Sequence, residues 1–203
     1  MTTTSYSKTM LCTYGPLAEQ DIDHLLQVAT ADVDLLQYSP SPIYNRELLE
    51  KYVKKAMENR SSGIRYTFSV FDKTKCAYAG CTSLLNISNL DDRLEIGGTW
   101  YGKQFQQTGL NRNCKYLLLE YAFDTLGAER VEFRTDERNQ ASRTAIEKIG
   151  GQLEGILRSH TLMHDGFRRN TVCYSILKRE WEGLKKGIFS RFAQSTEKDT
   201  DIK

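Results

Sequence analysis

The stretch from Leu94 to Thr125 limits what this chain can fold into more than any other. Leu94 to Trp100 has the pattern of a strand, and Tyr101 to Leu110 reads as a loop. Cys114, Leu117, Leu118, Tyr121, Ala122 and Thr125 then recur along one helical face. A loop that opens a strongly amphipathic helix leaves the first amides of that helix without internal partners, and the helix dipole adds partial positive charge there. Such a start can hold a diphosphate without any lysine. Gly109 lets the main chain come close to it, with Asn111 as the expected N-cap and Gly127 as the stop. The expected cradle is Gln106, Gln107, Thr108, Gly109, Leu110 and Asn111. A lone loop glycine also fits a plain surface turn, and the flanking strand and helix are what favour the cradle.

The rest of the chain supplies a sheet around this segment. Met10 to Tyr14 reads as a strand, followed by a helical stripe at Leu17, Ile22, Leu25, Leu26 and Ala29. Behind Asn45 as N-cap, Leu48, Leu49, Tyr52, Val53, Ala56 and Met57 form a second helix. Tyr66 to Phe71, Ala77 to Leu85 and Leu94 to Trp100 read as an antiparallel meander. Val131 to Thr135 is a short strand, and Asn139 caps a helix carrying Ala141, Ala145, Ile146 and Ile149. Gln152 to Met163 and Phe167 to Leu177 flank Asp165-Gly166, a hairpin turn. The expected organisation is a flexible N-terminus over 1–9, one domain over 10–181, and a charged, frayed tail over 182–203.

With 203 residues, 39% of them hydrophobic, the chain suits one core. Its 28 basic and 26 acidic side chains give no field that argues for nucleic acid or anionic lipid, and no apolar run is long enough for a membrane span. The five cysteines are scattered without metal or disulfide spacing, which reads as free thiols in a reducing cytoplasm. His160 and His164 approach a hairpin turn, where the four-residue spacing does not make a metal pair. No metal is expected.

Gln106 and Gly109 match the acetyl-CoA motif Gln/Arg-x-x-Gly-x-Gly/Ala of GNAT enzymes, with Asn111 where Gly or Ala is usual. Glu95-Ile96-Gly97-Gly98-Thr99-Trp100-Tyr101, the helix Asn111 to Leu126 with Lys115, Asn139-Gln140-Ala141-Ser142 before Glu147-Lys148-Ile149-Gly150, and the closing hairpin extend the likeness. Over roughly 10–181 the chain resembles the RimJ/RimL branch of the GNAT superfamily of N-acetyltransferases. The resemblance implies an α/β (α+β) fold with a mixed, mostly antiparallel sheet splayed near the fourth strand. It also implies acetyl-CoA as cosubstrate and an amine acceptor as partner, and it is compatible with a homodimer.

Direct attack of an amine on the thioester leaves three tasks: deprotonating the amine, holding the oxyanion and protonating the thiolate. The resemblance points to backbone N–H groups near Trp100 and Tyr101 for the oxyanion, and to Asn139 and Ser142 beside the cofactor. The tyrosine that many GNAT enzymes use for the thiolate is replaced by Ile146, leaving Ser142 as candidate donor or as an ordinary helix-start serine bonded to the backbone. Glu95 is the candidate base, or else a charge on the wetted face or in a salt bridge. Tyr38, Tyr44 and Tyr101 are candidates to line the acceptor cleft.

An α-amino group titrates near ~8 and a lysine near ~10.4, so stripping the lysine costs roughly 3 kcal/mol more at neutral pH. A lightly equipped site therefore suits a protein or peptide N-terminus. A small amine (a polyamine or an antibiotic) is the alternative, and a CoA-binding sensor without turnover is a reading from another class.

Overall fold

A computed structural model describes residues 7–8 and 11–192. Among these residues eight strands form a single sheet in the order β1-β2-β3-β4-β5-β6-β8-β7. They are β1 Ser7–Lys8, β2 Cys12–Pro16, β3 Arg65–Asp72, β4 Ala77–Ser88, β5 Arg93–Tyr101, β6 Arg130–Asp136, β7 Gln152–Leu162 and β8 Arg168–Leu177. Every pairing is antiparallel except β5 with β6, which is parallel and covers only Arg93 to Glu95 against Arg130 to Glu132. Beyond that short register the two strands diverge, and the sheet opens into a wedge. The expected mixed sheet, splayed at the fourth long strand, is the fold observed.

Among the described residues five α-helices accompany the sheet: α1 Ile22–Thr30, α2 Arg46–Ser61, α3 Leu110–Glu120, α4 Gln140–Glu147 and α5 Lys178–Lys186. The expected caps of α2 and α4 are in place. Asn45 Oδ1 accepts from the Leu48 amide at 2.9 Å, and Asn139 Oδ1 accepts from the Ser142 amide at 3.0 Å. β2 runs two residues past the expected stop, because the Gly15-Pro16 pair still registers against Ser69 and Phe68. Of the expected flexible N-terminus, Ser7 and Lys8 pair with Tyr14 and Thr13, and the remainder lies outside the described residues.

Two expectations are corrected. Asn111 does not cap α3; Gly109 does, at φ +90°, and the helix passes after Glu120 into a wider π turn over Tyr121–Thr125. Nor does the chain fray at Glu182. Trp181 on α5 is 1% exposed and Phe189 is fully buried, and both pack against Tyr116 with ring centroids 5.8 and 5.5 Å away. Trp181 and Leu184 share one helical face packed on the core, but they stand among so many charges that a reading by composition passes over the helix. Residues 193–203 of the expected tail lie outside the described residues.

Candidate active site

The site is built where β5 leaves β6 and turns into α3. At the end of β5 the Gly102 amide bonds Ala79 O on β4 at 3.0 Å, and the Trp100 carbonyl points at Gly80 on the same strand. Neighbouring residues in a strand send their main-chain groups to opposite edges, so Tyr101 presents its N–H and C=O to the opened side. Of the two expected oxyanion donors, Tyr101 is thus the one aimed into the wedge. The Trp100 indole is buried and reaches Tyr52 Oη on α2 at 3.4 Å. A bulge at Gly98, φ +56°, shifts the β4–β5 register. The Arg65 guanidinium lies over Gly98 so closely that a Cβ there would meet its Nη2 at 2.1 Å.

Behind β5 the loop folds on itself. Gln106 Nε2 donates to Tyr101 O at 2.9 Å, and Thr108 Oγ1 donates to Phe105 O at 2.8 Å, so both side chains shape the loop rather than face outward. Gln107 and Gly109 both adopt positive φ, 59° and 90°. Such reversals turn successive amides toward one concave side. The amides of Gln107, Thr108, Gly109, Asn111 and Arg112 have no hydrogen-bond partner among the described residues. That of Leu110 has only a long contact, 3.4 Å, to Thr108 Oγ1. α2 and α4 spend an asparagine on their first amides, whereas α3 leaves its own open. Leu110 itself is buried. Asn111 Oδ1 is buried without a hydrogen-bond partner, and nothing lies within 4 Å of where a Gly109 Cβ would stand. A cleft of about 520 Å³ lined by Gly109, Arg112, Gly187 and Arg191 adjoins this loop. The donor set, a concave row of unpaired amides with two arginines close by, fits a diphosphate-bearing ligand.

Glu95 is the last β5 residue paired to β6, and it is 5% exposed. Its Oε2 accepts from Asn86 Nδ2 at 2.8 Å and lies 3.5 Å from Arg134 Nε. Burial raises its pKa above the ordinary carboxylate value, while the Asn86 bond and the Arg134 charge oppose that rise. It is therefore not on a wetted face. Ser142 sits in the first turn of α4, half-buried, and its hydroxyl has no hydrogen-bond partner among the described residues. The alternative of a serine bonded to its own backbone is not what the geometry has. Of the three tyrosines expected at the cleft, Tyr101 is buried with its ring toward Cys114 and Tyr44 is exposed. Tyr38 accepts from Arg169 Nη1 through its carbonyl at 3.0 Å and lies under Arg138.

What pattern reading does not supply is how the charges of the site are paired. Arg65 and Arg169 carry no carboxylate within ion-pair reach among the described residues, whereas Glu95 and Glu132 are met by Arg134, and Asp136 by Arg138. Only the assembled strands bring them together. Among the described residues no helix is long and apolar enough to cross a membrane.

An acetyltransferase (GNAT) domain family matches residues 13–152. The chain is 33% identical over 159 residues to "Putative ribosomal N-acetyltransferase YdaF" of Bacillus subtilis (strain 168), covering 70% of this chain and 85% of that protein. Its fold superposes on a GCN5-related N-acetyltransferase from Brucella melitensis with a TM-score of 0.86 at 26% identity, over 93% of this chain and 85% of the other. A strand pair that parts above a helix start whose glycine cap leaves the amides open, together with this likeness, identifies the chain as an acyltransferase belonging to the GNAT acetyltransferase family.

Proposed function

We propose that this protein transfers acetyl from acetyl-CoA directly to the α-amino group of a protein or peptide N-terminus, as a RimJ/RimL-like member of the family. The observation that carries this reading is the set of open amides from Gln107 to Arg112, of which only that of Leu110 has a long contact, opening beside the unpaired edge of β5. Those amides, with Arg112 and Arg191, would hold the diphosphate of CoA, which supplies an activated acetyl group. The Tyr101 N–H would take the developing oxyanion. Glu95 would draw the proton from the acceptor amine through water, its raised pKa making it a better match to that task than an ordinary carboxylate. Ser142 would give a hydrogen bond to the departing sulfur.

The acceptor reading rests on charge. Polyamines and aminoglycosides are polycations and suit an acidic cleft, yet the opened face carries Arg65 and Arg169 without carboxylate partners, and its carboxylates are paired with arginines. A peptide N-terminus needs only one amine to approach. The name of the Bacillus relative, a ribosomal N-acetyltransferase, points the same way. Thiol release from acetyl-CoA in the presence of N-terminal peptides, polyamines and aminoglycosides tests the whole reading. Peptides are expected to react, and CoA binding without release for any amine would make the protein a sensor instead.

Two substitutions separate the roles. Glu95→Gln is expected to lower turnover on the order of 10²-fold with CoA affinity unchanged. It should also remove the acid limb of the kcat profile, which in the unsubstituted protein is shifted upward from the ordinary carboxylate value because Glu95 must be ionised to act. A retained acid limb assigns the base elsewhere. Ser142→Ala is expected to lower turnover without loss of CoA affinity, and unaltered turnover removes Ser142 from the reaction.

A further inference from the structure

Lys115 is 6% exposed, inside the fold, and has no carboxylate within ion-pair distance among the described residues. Its Nζ donates to Thr99 Oγ1 on β5 at 2.8 Å and lies 5.8 Å from the centre of the Phe133 ring on β6. These are the two strands that part beyond Glu95 and Glu132, so the amine stands in the mouth of the wedge, on the α3 side. Thr99 is only half-buried and follows the exposed Gly98, which leaves solvent a route to the amine. A buried cation without a counter-ion is costly, and this one faces the gap between β5 and β6 from the helix whose start carries the unpaired amides.

Resting on the acetyl-transfer reading above, we propose that Lys115 is the acid that protonates the departing CoA thiolate. As the acceptor nitrogen bonds to the carbonyl carbon, the C–S bond breaks and the sulfur keeps the electron pair. The Lys115 ammonium gives that sulfur a proton, free thiol leaves, and the neutral amine regains a proton from water. The proton lost by the acceptor passes through Glu95 to solvent, so charge balances over one turnover. An alcohol is a far weaker acid than a thiol, so Ser142 can hold the sulfur by a hydrogen bond but cannot be the net donor. Burial brings the lysine down to about 8, close to a thiol, with the nearby Cys114 and Glu95 opposing that shift.

The test compares the protein with Lys115→Met, which removes the charge, and Lys115→Arg, which keeps a charge that cannot be given up. Both variants are expected to bind CoA unchanged and to lose turnover on the order of 10²-fold. The alkaline limb of kcat, expected near pH 8 from the lysine's lowered value, should vanish in both. Turnover restored by Lys115→Arg, or an alkaline limb surviving in Lys115→Met, overturns the proposal.

The thiolate absorbance of bound CoA reads the same contact without catalysis. Its ionisation should move to lower pH than in free CoA, and the shift should be lost in Lys115→Met; equal ionisation in the two proteins also overturns the proposal. A protein that binds CoA with this shift but acetylates nothing would sink the functional reading and leave the Lys115 contact standing. A structural lysine predicts destabilisation of Lys115→Met at pH 7, whereas an unpaired buried acid predicts a higher unfolding temperature.

Discussion

Gly109→Asp is expected to cut CoA affinity by about a thousandfold. At Gly109 a side chain meets open space, so steric exclusion is not the cause. The cause is charge: a carboxylate at the N-cap of α3 faces the concave side where the unpaired amides converge. Two unit charges about 4 Å apart at an effective dielectric of ~20 interact by ~4 kcal/mol. The φ of +90° adds strain for any non-glycine residue, of order 1–2 kcal/mol. Gly109→Asn carries the same strain and nearly the same shape without the charge, and asparagine tolerates this region better than most residues. Calorimetry with CoA therefore expects Gly109→Asn to lose little and Gly109→Asp to lose nearly all binding. Equal losses in the two would mean that backbone conformation, not a diphosphate on the amides, explains Gly109.

The loop-to-helix junction was legible because its physics is local. A strand pattern, a glycine and an amphipathic stripe within thirty-odd residues mark where a helix begins to within a few positions, and a helix start with open amides is suited to an anion. What the pattern obscured was the cap. Asn111 has the chemistry of an N-cap, but the positive φ at Gln107 and Gly109 ends the loop two residues earlier and puts Asn111 inside the first turn. The difference matters chemically, since an asparagine cap would have occupied one of the amides that the site leaves open.

The electrostatics of the wedge were not legible, for a reason of topology. Glu95 meets Asn86 across a β-turn, but its other neighbour, Arg134, comes from a strand reached only after α3. Glu95 reads equally as a wetted charge, a salt-bridge member or a base until β5 and β6 are set side by side. Lys115 was hidden differently. It lies beside the stripe of Cys114, Leu117 and Leu118, where an amphipathic helix of one buried face would show it to water. Its Nζ instead turns to Thr99 and Phe133 on the strands beneath the helix. α3 is covered at Tyr116 as well, because the segment after β8 folds back over it.

That cover makes the C-terminal segment a strong lever on stability. Trp181 is sealed among Tyr116, Phe123 and Phe189, with centroids 5.6 to 5.8 Å apart, and its indole Nε1 donates to the Asp124 carboxylate at 3.0 Å. Removing a buried tryptophan side chain of this kind costs about 3–5 kcal/mol through lost transfer energy and the cavity left behind. Trp181→Ala is expected to lower stability by that amount in urea unfolding, a large share of the ~5–15 kcal/mol that holds a domain of this size. Phe192→Ala, at the half-buried rim of the same cluster, should cost less. Because the cluster lies directly on α3, CoA should raise the unfolding midpoint of Trp181→Ala, ligand binding to the folded state offsetting part of the loss. A loss below about 1 kcal/mol, within the range of an ordinary surface substitution or little beyond it, would show that α5 only leans on the domain and that the outer face of α3 is stable in water by itself.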